Sequence, residues 1–268
     1  MDLSHLFRED EQPLDTLPPS GGFTSILRHV ACIGDSLSSG EFEGTGEGGE
    51  KTYHDMFDHS WGQYLARLCG ITVHNFSRGG MTAREYMNGW AQEMGYFDPA
   101  LAAEAYVVAL GVNDTSACSK GEMTFGEEAD VARALAGETP DTFVGYYTAI
   151  LAAYRAMRPD SYLFLVTMPR EEDVPAERLP YRERHRALLH HLASTLPRTY
   201  VIDLFAHAPV YDRAFRERFY LGGHLNPMGY RLTADMIASY IDYIIRHNIR
   251  DFKQAGFIGT PYKNTADA

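Results

Sequence analysis

The sequence contains few cysteines, and their number and spacing do not suit disulfide cross-links. The 268 residues include three cysteines, Cys32, Cys69 and Cys118. An odd number without short spacings argues against a disulfide-stabilised fold and against a zinc-binding motif. Cys32 lies in an apolar run and Cys69 ends a helical pattern, so we predict that both are small buried hydrophobic residues.

The sequence also lacks an apolar run of the roughly 20 residues that a membrane span needs, and it has few basic residues. Its first residues, MDLSHLFREDEQPLD, are acidic and do not resemble a secretory signal, so we expect a cytoplasmic protein. Lys and Arg number 24 against 36 Asp and Glu, which gives a net charge of −12. This balance predicts no nucleic-acid partner and no membrane partner, because both would require a basic surface.

What the sequence has is an alternation of short apolar runs with amphipathic segments. Runs of this length are typical of buried parallel strands, and they predict strands over 27–33, 71–76, 105–110, 162–167 and 199–204. Helical spacing predicts helices over 61–69, 81–94, 99–104, 141–157, 181–196 and 227–247. Together they predict an α/β fold with a doubly wound, five-stranded parallel sheet.

We expect one domain over residues 1–268, with an irregular lead-in at 1–27 and a C-terminal extension at 250–268. Two further segments interrupt the alternation of strands and helices. Residues 40–60 are rich in Gly and acidic side chains, and residues 115–140 follow the third strand. We predict both as long loops, which serve either as binding walls or as solvated insertions. Nothing in the sequence sets the oligomeric state.

Four short segments carry side chains suited to chemistry, at 34–37, 75–80, 111–114 and 222–227. Ser36 follows the first strand, where helix N–H groups can stabilise an oxyanion. Gly79-Gly80 lets the backbone approach a ligand closely, and Asn113 can donate a side-chain N–H. His224 can act as a base near neutral pH. Each residue type is also common in ordinary turns and caps.

The four segments are more informative together than separately. In a parallel sheet the carboxyl ends of the strands meet at one edge, and ligands bind outside that edge. The segments would bring to it a hydroxyl group, two oxyanion donors and a base. That is the set of groups that acyl transfer requires.

In these segments the chain resembles the SGNH hydrolase superfamily, also called GDSL lipases and esterases. Residues 33–37 match its nucleophile block, Gly80 matches the glycine of its second block, and Gly-Val-Asn-Asp at 111–114 matches its third. His224 matches the last-block histidine, with His-Leu-Asn beginning the final helix. Order and spacing agree from about Val30 to Ile245.

The resemblance implies a flavodoxin-like, three-layer α/β/α fold with a five-stranded parallel sheet. It implies a carboxylic ester hydrolase with Ser36 as nucleophile and His224 as general base. The oxyanion hole would consist of the backbone N–H of Ser36, the backbone N–H of Gly80 and the side chain of Asn113. It further implies a small-molecule ester substrate, no metal and no organic cofactor.

The sequence departs from the family at one position. Where the family has an aspartate three residues before the catalytic histidine, this chain has Leu221. A backbone carbonyl in Tyr220–Gly223 could accept the Nδ1 proton of His224 and leave a Ser-His dyad. A carboxylate from elsewhere could substitute, with Asp203 and Glu217 as candidates. Alternatively, the protein binds its ligand without hydrolysing it.

The substrate is suggested by the composition of the 40–60 segment and its surroundings. Its polar character, with Tyr53, Phe57 and Trp61, favours a short-chain acyl ester such as an O-acetylated carbohydrate, because aromatic faces stack on sugars; Trp61 is better suited to the core. Two alternatives are a non-catalytic ligand-binding domain, favoured by Leu221, and a flavodoxin-like nucleotide binder. Residues 34–40 are rich in hydroxyl groups but lack the lysine of a P-loop.

Overall fold

A computed structural model describes residues 6–252 of the chain. In chain order, its strands are β1 (His29–Gly34), β2 (Glu41–Thr45), β3 (Lys51–Asp55), β4 (Thr72–Ser77), β5 (Ala105–Ala109), β6 (Tyr162–Val166), β7 (Thr199–Ile202), β8 (Tyr220–Leu221) and β9 (His224–Leu225). Its α-helices are α1 (Ser36–Ser39), α2 (Trp61–Cys69), α3 (Ala83–Glu85), α4 (Ala91–Glu93), α5 (Val112–Ser119), α6 (Glu128–Leu135), α7 (Phe143–Met157), α8 (Leu179–Thr195), α9 (Leu204–His207), α10 (Arg213–Phe219) and α11 (Pro227–His247).

Five of the strands form a parallel sheet in the order β4-β1-β5-β6-β7. They are the five strands predicted from the apolar runs, with ends that differ by at most two residues. β1 lies between β4 and β5, with Val30 paired to Val73 on one side and to Ala105 on the other. The segments that follow these three strands are therefore neighbours at the carboxyl edge.

Side chains of β1 alternate between the two faces of the sheet, and each face is covered by helices. Val30 and Cys32 pack into a core shared with α2 and α11. Ala31 and Ile33 pack into a second core shared with α7 and α8. The arrangement is the expected three-layer α/β/α, flavodoxin-like fold. Cys32, like the other two cysteines, is buried and carries a free thiol.

Both predicted long loops are wrong. Residues 40–60 contain β2 and β3, which pair as an antiparallel hairpin, followed by a 3₁₀ turn at Phe57–His59. Residues 115–140 contain most of α5 and all of α6, with a capping box between Glu127 and Asp130. These segments therefore form walls of regular structure at the carboxyl edge of the sheet.

Two predicted helices are shorter than expected. The 81–94 segment is divided into α3 and α4 by a π-helical turn at Tyr86–Trp90, where Gly89 has a φ of 128°. The 99–104 segment forms only a 3₁₀ turn at Pro99–Leu101. Within the described part of the lead-in, a 3₁₀ helix forms at Gly22–Ile26, and residues 253–268 of the predicted extension lie outside the described residues.

None of the helices in residues 6–252 combines the length and the apolar character that crossing a bilayer requires.

Candidate active site

Ser36 stands at the first position of α1, immediately after β1. The side chain of Asp35 caps this helix by accepting a hydrogen bond from the Leu37 N–H at 3.0 Å. N–H groups of a first helical turn have no acceptor within the helix, so that of Ser36 is available to a ligand.

The segments after β4 and β5 are hydrogen-bonded to each other and to the end of β1. The Arg78 N–H donates to the Gly34 carbonyl at 3.4 Å. The Asn113 side-chain amide donates to the Met81 carbonyl at 3.1 Å, which leaves its second N–H for a ligand. Gly80 has a φ of 72° and has open space on the side where a Cβ would stand. This loop is therefore held close to α1 and leaves room for a small ligand.

His224 lies in β9, which forms a two-residue antiparallel ladder with β8. α1 packs against both β4 and β9, so Ser36, the Gly80 loop and His224 share one edge of the sheet. Tyr230 of α11 ties the same elements together: its hydroxyl donates to the Glu41 carbonyl at 2.7 Å and lies 3.4 Å from the Ser36 carbonyl. The structure thus brings together all four segments singled out in the sequence.

The β2–β3 hairpin covers this edge with one polar face. Side chains two residues apart on a strand point to the same side, so Glu41 and Glu43 share a face while Phe42 points the other way. Pairing across the hairpin adds Asp55, opposite Glu41, and Tyr53, opposite Glu43. β2 also packs against β9, so this polar face meets the histidine.

Two carboxylates flank the imidazole of His224, which is 15% exposed. Glu41 Oε1 lies 3.0 Å from Nε2, and Glu43 Oε2 lies 4.0 Å from Nδ1. Nδ1 itself is buried and has no hydrogen-bond partner among residues 6–252. Glu43 is held by the Gly223 N–H at 2.9 Å and by Lys51 Nζ at 2.7 Å.

Burial is the largest influence on the pKa values of His224, Glu41 and Asp35. It lowers the pKa of His224, against the opposing effects of Glu43 and Asp55. Burial, followed by the charge of Asp55, raises the pKa of Glu41. Burial also raises the pKa of Asp35 to about 7. A histidine with a lowered pKa is neutral at pH 7, as a general base must be.

Neither carboxylate predicted to substitute for the missing aspartate lies beside His224. Asp203 caps α9 and binds Arg186 and His190, with its Oδ2 2.8 Å from the His190 ring. Glu217 pairs with Arg213 on the exposed side of α10. A backbone acceptor for Nδ1 is also absent from the described residues. The acids that do reach the histidine come from β2, and the signal was the Glu-Phe-Glu alternation inside the 40–60 segment.

The three aromatic side chains associated with the substrate have separate roles. Tyr53 is 53% exposed, and its ring meets that of His224 edge-on at 5.8 Å between centroids. Trp61 is 2% exposed and belongs to the core, as expected, and Phe57 packs against that core. Only Tyr53 of the three lies beside the histidine.

An apolar cavity of about 80 Å³ lies on the core side of α1. Leu37, which follows Ser36, and Leu225, which follows His224, both line it, together with Val112. α1 therefore lies between this apolar cavity and the polar face of the hairpin.

A three-layer parallel sheet with this serine, glycine, asparagine and histidine at its carboxyl edge defines the SGNH class of hydrolase. Residues 32–232 match the model of the GDSL-like lipase/acylhydrolase family, so the chain belongs to that family. By that membership it is a carboxylic ester hydrolase. No curated protein matches the chain significantly by sequence.

Solved structures of esterases share the fold. A family two carbohydrate esterase from Clostridium thermocellum, in complex with cellohexaose, matches with a TM-score of 0.57 and 15% identity over 84% of this chain and 65% of that longer one. A family 3 carbohydrate esterase from Clostridium thermocellum matches with a TM-score of 0.52 and 13% identity, over 82% and 98% of the two chains. An acetyl xylan esterase, AlAXEase, matches with a TM-score of 0.51 and 15% identity, over 80% and 99%.

Proposed function

We propose that this protein hydrolyses a short-chain acyl ester, foremost an O-acetylated carbohydrate, with Ser36 as nucleophile and His224 as general base. The oxyanion hole consists of the backbone N–H of Ser36, the backbone N–H of Gly80 and the side chain of Asn113. One observation carries the proposal: four segments distant in sequence meet at one edge of the sheet, with α1 packed against both β4 and β9.

The chemistry follows from these groups. Ser36 Oγ attacks the acyl carbon while His224 takes its proton, and the three N–H donors stabilise the oxyanion that forms. Collapse of the intermediate breaks the bond to the alcohol, to which His224 returns the proton. Water then attacks the acyl-serine with the same histidine as base, and the carboxylic acid and the free serine are released.

The preference for a sugar ester rests on the solvent side of the site. Tyr53 offers an exposed ring beside His224, and Glu41 offers carboxylate oxygens that can accept hydrogen bonds from hydroxyl groups. Three structures of the same fold are named as carbohydrate or acetyl xylan esterases, and one of them was solved with cellohexaose. The open space beside Gly80 also favours a small acyl group such as acetyl.

The test is the release of acetate from acetylated xylo-oligosaccharides and of p-nitrophenol from p-nitrophenyl acetate. We expect Ser36→Ala to reduce turnover to background and to abolish labelling by a fluorophosphonate. Ser38→Ala is the matched control, because Ser38 is on the same helix but is buried. Equal turnover by wild type and Ser36→Ala would refute the proposal.

Ligand binding without hydrolysis is a second candidate, and one contact favours it. Glu41 lies 3.0 Å from Nε2 of His224, the nitrogen that must take the proton from Ser36. If this contact persists with ligand bound, titration calorimetry will detect the acetylated oligosaccharide while the fluorophosphonate leaves Ser36 unlabelled.

A further inference from the structure

We propose that Glu43 is the positioning residue for His224, supplying from the β2–β3 hairpin the carboxylate that the chain lacks at position 221. This inference rests on the proposed function, since it assigns a role to a residue that acts through the proposed base. It pairs His224 with a carboxylate on β2, an element far from the histidine in sequence.

The imidazole of His224 is largely buried, and one of its two nitrogens needs a hydrogen-bond partner. Leu221 pairs with His224 across the β8–β9 ladder and is 51% exposed. Its side chain is a hydrocarbon and cannot accept a hydrogen bond from the ring. Nδ1 is nevertheless buried and unpartnered in the described part of the chain. When Nε2 acts as the base, the ring proton is on Nδ1, and a buried N–H without an acceptor is costly. The site therefore requires an acceptor facing Nδ1.

Glu43 lies on the Nδ1 side of the His224 ring. Its Oε2 is the carboxylate oxygen 4.0 Å from Nδ1, about 1 Å beyond hydrogen-bond length. The same oxygen accepts the N–H of Gly223, the residue next to the histidine, so the carboxylate is fixed on the loop that carries the base. Catalytic hydrogen bonds are often long without substrate and shorten when it binds.

The remaining charged and titratable groups that face His224 are Glu41, Lys51, Tyr53 and Asp55. Glu41 contacts Nε2, the nitrogen that exchanges a proton with Ser36. It therefore cannot also accept a hydrogen bond from Nδ1 on the other side of the ring. Asp55 is committed elsewhere, to the Ser39 hydroxyl and to the Gly79 N–H at 3.3 Å. Lys51 and Glu43 have opposite effects on the pKa of His224: the positive charge of Lys51 lowers it and the negative charge of Glu43 raises it.

This opposition gives the proposal a signature that a purely structural role would not produce. Removing the charge of Glu43 should move the acid limb of the kcat/KM profile to lower pH, because the negative charge beside His224 favours its protonated form. Removing the charge of Lys51 should move the same limb to higher pH. Two neighbouring substitutions on one hairpin therefore shift one titration in opposite directions.

The experiment compares Glu43→Gln and Lys51→Met with wild type, with Glu50→Gln as a charge-matched control at the tip of the hairpin. For Glu43→Gln we expect kcat to fall by roughly 10- to 100-fold, with KM nearly unchanged. The loss should be smaller than the ~10⁴-fold for a directly bonded triad aspartate. The reason is that Glu43 is ion-paired with Lys51, which partly neutralises its charge. Glutamine can still accept from Gly223, and unfolding midpoints will verify that the hairpin is intact.

Different outcomes would contradict the positioning role of Glu43 and the proposed hydrolase function. If wild type is active, Ser36→Ala is inactive and Glu43→Gln keeps both the wild-type kcat and the wild-type acid limb, only the role of Glu43 is lost. The same holds if Glu41→Gln, and not Glu43→Gln, lowers kcat and moves the acid limb to lower pH. If wild type itself does not turn over, the proposed function fails first.

Discussion

At the scale of single residues, the carboxyl edge of the sheet buries acids that have no positive partner. Asp114 is fully buried; its Oδ1 accepts the Ala83 N–H at 2.8 Å, and its Oδ2 has no partner in residues 6–252. Burial raises its pKa to about 7, with a smaller contribution from Asp35. Between pH 4 and pH 7 the folded protein therefore holds a proton that the unfolded chain releases, and its stability falls as the pH rises through this window.

Asp114→Asn should stabilise the protein at pH 8 and have little effect at pH 5. The amide keeps the acceptor for Ala83 and removes the charge that burial penalises. We expect the unfolding midpoint at pH 8 to rise by a few degrees, at about 2–4 °C per kcal/mol for a chain of this size. Calorimetry at both pH values tests this, with the exposed Asp58→Asn as control. An equal change at pH 5 and pH 8 would contradict the burial argument.

The residues of the candidate site could be proposed from sequence because each stands in a short block. Ser36, Gly80 and Asn113 follow predicted strands, whose order in the sheet brings their segments together, and His224 stands just before the final predicted helix. The partner proposed for His224 could not be found this way, since Glu43 comes near it through the contact of β2 with β9. Spacing along the chain carries no information about that contact.

At the scale of elements, the hairpin is the structure that sequence reasoning missed. β2 contains two Glu and one Gly, and β3 contains Lys and Asp; these residue types are depleted in sheets, so propensity favours a loop. Its position is fixed by tertiary packing: the ring of Phe42 meets that of Tyr230 at 5.6 Å and that of His59 at 6.1 Å. α6, in contrast, carried a readable signal in its capping box and its apolar spacing.

Phe42→Ala should loosen the hairpin without unfolding the protein. Loss of the contacts with Tyr230 and His59 removes the anchor of β2, and small displacements at a catalytic site can cost up to about 100-fold in rate. We expect kcat/KM to fall about 10- to 100-fold and amide exchange in β2 and β3 to accelerate. Thr45→Ala, at the exposed end of β2, is the control. Unchanged exchange in the hairpin of Phe42→Ala would show that another contact holds it.

At the scale of the whole molecule, α11 connects the candidate site to the lead-in. It begins three residues after His224 and runs for 21 residues, a length of about 30 Å. At its far end Arg246 binds Glu11 with both terminal nitrogens, at 2.6 and 2.7 Å, and Asp242 at 2.8 Å. All three side chains are largely buried, so the N-terminal segment is fixed by an ion-pair cluster remote from Ser36.

Arg246→Met should destabilise the protein and leave its chemistry intact. Two buried carboxylates would lose their cation, which typically costs about 3–5 kcal/mol. We expect a lower unfolding midpoint, with kcat and KM at 25 °C equal to wild type. Arg213→Met, which breaks an exposed pair with Glu217, should change the midpoint little. A fall in kcat for Arg246→Met would mean that the far end of α11 communicates with the site.

The contact between β2 and β9 bears on how inactive relatives are recognised. A survey that scores a family member as a degenerate copy whenever the residue three places before the histidine is not acidic would discard this chain, which has leucine there. Yet two glutamates, separated by one aromatic residue near the start of the chain, reach the same imidazole. Screens for lost catalysis should therefore also inspect the segment after the nucleophile for an acid–aromatic–acid triplet.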